Sequence, residues 1–199
     1  MALNKQELRR QLFHAFVGLV IVFLFYYNII GSWTIFILLV LGIITSLTLK
    51  KIRIPVIVDF LELFQREDEK NKLPGKGAIF FFTGVLLAMK LFDEDIALAA
   101  ILILSLGDSV SHIVGHNYGK IKNFINGENK KLMEGTFAGI IVAFLGALFF
   151  VSPLEAILAS SIAMLAELAE LKLAEKVIDD NLLIPLVAGT VIVVMRLFL

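Results

Sequence analysis

Between Gln11 and Leu49 the chain carries no Lys, Arg, Asp or Glu, and His14 is the only residue there that titrates near neutral pH. As one helix this stretch would be roughly 58 Å long at 1.5 Å per residue, nearly twice a ~30 Å hydrocarbon core. It has to fold back on itself, and the segment from Asn28 to Ser32 supplies the turn. The run is too long for a signal peptide and lacks a small-residue cleavage site. Composition agrees: 59% of the residues are hydrophobic and 18% charged, against about 25% charged in an average soluble domain. The sequence therefore predicts a polytopic all-α bundle, a single integral membrane domain over residues 1–199. Eighteen basic residues balance eighteen acidic ones, which excludes a generally basic nucleic-acid binder. With no cysteine there is no disulfide framework, thiol nucleophile or zinc-thiolate site.

Hydropathy places about seven spans, near residues 12–27, 33–49, 77–90, 96–106, 135–151, 155–171 and 182–199. The fourth extends toward Val114 if Asp108 lies within it. Residues 52–65 mix Asp59 and Glu62 with apolar side chains and read as an amphipathic interfacial helix. Residues 66–72 read as a charged stretch in water, and 118–131 as a basic loop. No internal repeat or low-complexity tract is visible.

Lys and Arg fix the expected orientation. Lys5, Arg9 and Arg10 precede span 1. Lys50, Lys51, Arg53, Arg66, Lys70, Lys72 and Lys76 lie between spans 2 and 3, and Lys120, Lys122, Lys130 and Lys131 between spans 4 and 5. The other side has Lys90, Arg196 and the acids Asp93, Glu94 and Asp95. The expected topology is an N-terminus in the cytoplasm and a C-terminus outside.

Several polar residues are hard to reconcile with apolar spans. Glu7, Arg10 and His14 share one helix face, as a candidate site or as a surface pair beneath a headgroup-level imidazole. Asp108 ends an apolar run that Ile113 and Val114 continue. An acid at bilayer depth costs roughly 2.5–3.5 kcal/mol on insertion scales and usually faces a cavity and a partner. The alternative is a C-cap at Gly107 with Asp108 in water. Gly115 to Lys120 fails the P-loop pattern: three residues separate its glycines, Ile121 follows the lysine, and no strand precedes it. It remains either a phosphate-proximal basic loop or a plain turn. Lys131 and Glu134 stand at the mouth of span 5, and Glu167 near the end of span 6. Asp179, Asp180 and Asn181 stand ahead of span 7, where capping accounts for one acid and a hard cation would use the rest. All fall on the side expected to be cytoplasmic, so they suggest one site for an anionic, metal-bound ligand.

Taken in order, Glu7-x-x-Arg10-x-x-x-His14, Gly107-Asp108, Gly115, Gly119-Lys120, Lys131-x-x-Glu134-Gly135, Glu167 and Asp179-Asp180-Asn181-x-x-x-Pro185 resemble the dolichol kinase, phytol kinase and CTP-dependent diacylglycerol kinase family. Gln11 stands where the family often has a basic residue, and Leu132 where Ser or Thr is common. The resemblance implies a multi-pass cell-membrane enzyme with its active site on the cytoplasmic side. It would phosphorylate a polyprenol, isoprenoid alcohol or diacylglycerol-type lipid, with CTP as co-substrate and Mg²⁺ as cofactor. A homodimer is compatible with it, and no nucleic acid is involved. Under it, Asp108, Glu134 and His14 are the catalytic candidates. Asp108, Asp179, Asp180 and Glu167 are the metal candidates. Glu7, Arg10, Gly115, Gly119, Lys120, Lys131, Gly135 and Asn181 are the nucleotide and phosphate candidates. A CDP-lipid synthase, using CTP, Mg²⁺ and a lipid phosphate, stays open as an alternative. An ion-coupled transporter fits less well, because its acids would lie near the midplane of several spans.

Overall fold

The computed structural model describes residues 5–52, 54–64, 73–121, 131–173 and 176–198. The charged stretch 66–72 and most of the basic loop 118–131 lie outside these residues. Among the described residues the chain is helical apart from one minimal β-ladder. The helices are α1 (Lys5–Tyr26), α2 (Ser32–Leu49), α3 (Pro55–Phe64), α4 (Lys76–Leu91), α5 (Glu94–Tyr118), α6 (Met133–Ala147), α7 (Pro153–Ala169) and α8 (Asp180–Phe198). Strands β1 (Lys172–Leu173) and β2 (Lys176–Val177) pair antiparallel between α7 and α8. Four helices, α1, α2, α5 and α8, are long and apolar enough to cross a membrane, and α6 is a shorter apolar helix.

The chain turns where the sequence predicts. Asn28 takes a left-handed φ of 55° between α1 and α2, a conformation Asn tolerates better than most residues. Ser152 and Glu155 close a reciprocal capping box around Pro153 at the start of α7.

Helix α5 is the centre of the bundle. Ile96 through Ser105 are all buried, so this helix is apolar on every face, as a fully enclosed helix must be. In contrast, α1 and α2 leave Phe16, Phe23, Trp33, Ile37 and Leu41 exposed, a face suited to lipid. Asp108 does not end α5. The helix continues through Asp108 (φ −59°, ψ −47°) to Tyr118, so the C-cap reading is overturned. A π-helical segment, Ile103–Asp108, ends on this residue, and such segments frequently accompany functional sites.

Small residues let the other helices reach this core. A Cβ on Gly18 of α1 would lie 1.8 Å from the Ser105 hydroxyl, and one on Gly84 of α4 would lie 1.9 Å from the Asn181 carbonyl at the start of α8.

At one end, the Arg196 Nε donates to Glu155 Oε1 at 2.6 Å and its Nη2 to Asp95 Oδ2 at 2.7 Å. This ties the end of α8 to the starts of α7 and α5. The opposite ends of those helices, with the start of α1, converge on the candidate site.

Gly84→Ala should push α4 from α8 and cost about 1–3 kcal/mol by overpacking, read as a lowered melting temperature in detergent. Gly42→Ala on α2 meets nothing within 4 Å and should be neutral or slightly stabilising.

Candidate active site

Helical spacing places Asp108 and His112 one turn apart on α5, with His112 Nε2 3.3 Å from Asp108 Oδ1. Helix α1 brings His14 to the same carboxylate, Nε2 to Oδ2 at 3.8 Å. The His14 ring is held edge-on by Phe81 of α4, with centroids 4.6 Å apart. The end of α7 contributes Glu167 and the start of α8 contributes Asp180. Lys131, just ahead of α6, bridges them, with Nζ 2.9 Å from Glu167 Oε1 and 2.7 Å from Asp180 Oδ2. The same ammonium donates to the Glu167 carbonyl at 3.3 Å, which also accepts from the Glu170 N–H at 3.2 Å at the end of α7. Lys131 lies outside the membrane-spanning segments. Burial works against its charge, but the Glu167 and Asp180 carboxylates outweigh this and hold its pKa above the ordinary lysine value.

Asp108, His112, Glu167 and Asp180 offer ligand atoms that all lie within 4.8 Å of one another. Three carboxylates suit a hard divalent cation such as Mg²⁺, and the imidazole is the softer member of the set. The unmet hydrogen-bonding capacity also points to a ligand. Among the described residues, Asp108 Oδ1, Glu167 Oε2, His14 Nε2, Asn181 Oδ1 and Arg10 Nε are buried without a hydrogen-bond partner. A buried polar atom left unsatisfied costs roughly 1–3 kcal/mol. Five of them converging on one end of a bundle mark a place where another molecule completes the network.

Some residues singled out in the sequence have other neighbours. Glu134 is not among the clustered acids: its carboxylate accepts from the backbone N–H groups of Lys120 at 2.8 Å and Ile121 at 3.0 Å, which pins the chain leaving α5. Lys120 itself is exposed. The segment Gly115 to Tyr118 is helix rather than loop, so only Gly119 and Lys120 leave it in extended form. Gly115 and Gly135 let α5 and α6 touch, since a Cβ on Gly135 would meet the Ser111 carbonyl at 2.4 Å and Gly115 Cα at 2.8 Å. Gly119 is closed in by the Leu132 side chain. Asp179, not Asp180 or Asn181, precedes α8 and accepts from the Asn181 backbone N–H at 3.2 Å and its Nδ2 at 2.9 Å. It also faces Lys76 at 3.8 Å, and this capping frees Asp180 for Lys131. Glu7 pairs with Arg10 and accepts from Gln11 Nε2. Gln11 is buried, and its backbone carbonyl accepts from the Ser109 hydroxyl at 3.0 Å, which joins α1 to α5. His112 is the site residue that sequence reasoning missed; its signal was the i, i+4 spacing from Asp108.

A pocket of about 130 Å³ opens beside the cluster. Its polar end is Arg10, His14, Asp108 and Asn181, and its walls are apolar, including Phe13 and Phe64 stacked at 4.5 Å.

An uncharacterized protein of Methanocaldococcus jannaschii is 30% identical over 191 residues, covering 94% of this chain and 93% of that one. The chain belongs to that protein's family. Two fungal proteins are similar over shorter shares. The CTP-dependent diacylglycerol kinase 1 of Schizosaccharomyces pombe is 38% identical over 84 residues, which is 42% of this chain and 35% of the kinase. That of Eremothecium gossypii is 24% identical over 154 residues, 74% of this chain and 47% of the kinase. These similarities support a lipid-kinase relationship at the level of the wider family. No family model and no solved structure matches the chain.

Removing the Lys131 charge leaves two carboxylates facing each other in a mostly buried setting. Lys131→Met should therefore destabilise the protein by up to about 3 kcal/mol, seen as a fall in detergent melting temperature. Adding Glu167→Gln should recover part of that loss.

Proposed function

We propose that the protein is a membrane lipid-alcohol kinase that transfers the γ-phosphate of CTP to the hydroxyl of a lipid. The observation that carries this reading is the juxtaposition at Asp108: buried, unsatisfied acids and cations on one side, and an apolar pocket on the other. A lipid alcohol needs both environments, and the similarity to CTP-dependent diacylglycerol kinases supports the donor and the reaction class.

Phosphoryl transfer asks for positioning and charge neutralisation more than for covalent chemistry. Asp108, Glu167 and Asp180 would hold Mg²⁺, which neutralises phosphate charge when bound. Arg10, at the polar end of the pocket, would take phosphate oxygens through bidentate contact, while Lys131, its ammonium already engaged by Glu167 and Asp180, would contribute positive charge behind the acids. Glu7 orients Arg10. The lipid hydroxyl, at the polar end of the pocket, would attack the γ-phosphorus. Its proton would pass to the Asp108 carboxylate or the His14 imidazole, both of which line that end, and CDP would leave. Glu134 is engaged with backbone amides and supports this site by holding the chain beyond α5. The site end of the bundle would face the cytoplasm, since Arg9, Arg10, Lys50, Lys51, Lys120 and Lys131 are expected there.

With purified protein and CTP labelled at either the α or the γ phosphorus, label should reach the lipid from the γ position alone. Transfer from the α position would make the protein a cytidylyltransferase. Asp108→Asn removes the charge while nearly preserving shape. It should lower turnover by ~10² to 10⁴-fold with little change in melting temperature; near-normal turnover would return Asp108 to a structural role.

The chain has no cysteine, so single cysteines report topology directly. Gly31→Cys should react with an impermeant thiol reagent added outside intact cells, and Lys51→Cys only after permeabilisation. The reverse pattern would invert the bundle and put the site outside.

A further inference from the structure

A second cavity, of about 220 Å³, lies between α2, α3 and α4. Leu61, Gly75, Ala78 and Phe82 line both this cavity and the pocket beside Asp108. The two spaces are therefore neighbours that share a wall. The first is polar only at the Asp108 end. The second is apolar apart from Thr45 and Ser46 of α2, and the Ser46 hydroxyl is buried without a hydrogen-bond partner. Gly75 shapes the shared wall: its φ of +74° turns the chain into α4, and a Cβ there would sit 3.7 Å from Leu61 Cδ2.

We propose that the two cavities are one path for the hydrocarbon chain of the lipid alcohol, and that Leu61 and Phe82 set the chain length it accepts. This rests on the lipid-kinase reading, which puts the hydroxyl at Asp108. From there the chain runs away from the charged cluster, along Phe13 and Phe64, and reaches the shared wall before the second cavity. A short alcohol ends in the first pocket. A longer one passes Leu61 and Phe82 and lies against α2, whose outer face is exposed to lipid. Apolar walls read length and bulk, and one methylene in a hydrophobic pocket is worth about 10- to 200-fold in discrimination. Aromatic walls also suit a stacked base. Among the described residues that line the second cavity only Thr45 and Ser46 are polar, which favours a hydrocarbon there.

The test has a binding arm and a kinetic arm. Ala78→Cys places a single thiol on the shared wall, at an exposed position. Labelling by a small methanethiosulfonate reagent should slow at least fivefold with geranylgeraniol, and stay unchanged with a five-carbon isoprenol or with CTP and Mg²⁺. Dioctanoylglycerol forms a parallel arm; whichever of it and geranylgeraniol protects names the source of the chain. In the kinetic arm, Leu61→Trp should lower the ratio of kcat/KM for long over short alcohols at least tenfold, and Phe82→Ala should raise it. Protection by CTP alone, or equal effects of both variants on short and long alcohols, would overturn the proposal. Protection by a long alcohol without transfer of the γ-phosphate to any alcohol would keep the lipid path and refute the kinase.

Discussion

Asp108 lies within a helix that passes through the middle of the bundle, and an uncompensated carboxylate in such a place costs several kcal/mol. The helix cannot easily move it to water, because α5 is buried without a break from Ile96 to Ser105 and still half-buried in the turn beyond Asp108. Compensating groups have to come to it, and the arrangement of the site end follows. His14 arrives on α1, His112 on the next turn of α5, and Lys131 comes in behind Glu167 and Asp180. The approach is sterically demanding. The π-helical segment that ends on Asp108, and the contacts of Gly18 with Ser105 and of Gly107 with Met164 and Ala143, give α1, α6 and α7 room to close around this one turn.

The two ends of the bundle use similar residues to opposite effect. At the far end, Arg196 meets Glu155 and Asp95 in short hydrogen bonds, and Glu155 also accepts from the Ser152 backbone. Arg196, Glu155 and Asp95 are thus paired with one another, as expected of groups whose task is to hold helix ends together. At the site end, five buried polar atoms have no hydrogen-bond partner among the described residues. Such a state is stable only if the rest of the fold holds the groups in place or a ligand satisfies them. The tightly paired far end and the apolar core of α5 supply that support, leaving the site poised for polar ligands.

Hydropathy made most of the helices legible, because a run of apolar residues long enough for a bilayer has few other ways to satisfy its backbone. Asp108, Glu167, Asp180, Lys131 and His14 were legible for the same reason, as charges and imidazoles where hydrocarbon was expected. The remainder depends on geometry that no single segment carries. His112 is invisible if α5 is taken to end at Asp108 and follows at once if it continues. The division of roles between Asp179, which caps, and Asp180, which meets Lys131, turns on which residue precedes the first turn of α8. Gly115 and Gly135 read equally as phosphate contacts or as helix-packing residues until α5 and α6 are seen to touch. The pocket was illegible because its walls come from α1, α3 and α4, brought together by packing alone.

Lys131 occupies a place that a divalent cation would otherwise dispute. Two like-charged cations cannot share one carboxylate oxygen cheaply, so the division of oxygens matters. The ammonium uses Glu167 Oε1 and Asp180 Oδ2, while Glu167 Oε2 and Asp108 Oδ1 remain open. A metal taking the open oxygens would leave the lysine bridge intact, with acids shared by the two cations through different atoms. Three carboxylates around one divalent ion carry a surplus negative charge, which would repel a nucleotide triphosphate. Lys131 offsets that surplus, and Arg10 adds a further cation at the pocket rim. The lysine bridge secures the ends of α7 and α8, and at the proposed metal site the same group would make three acids electrostatically tolerable to phosphate.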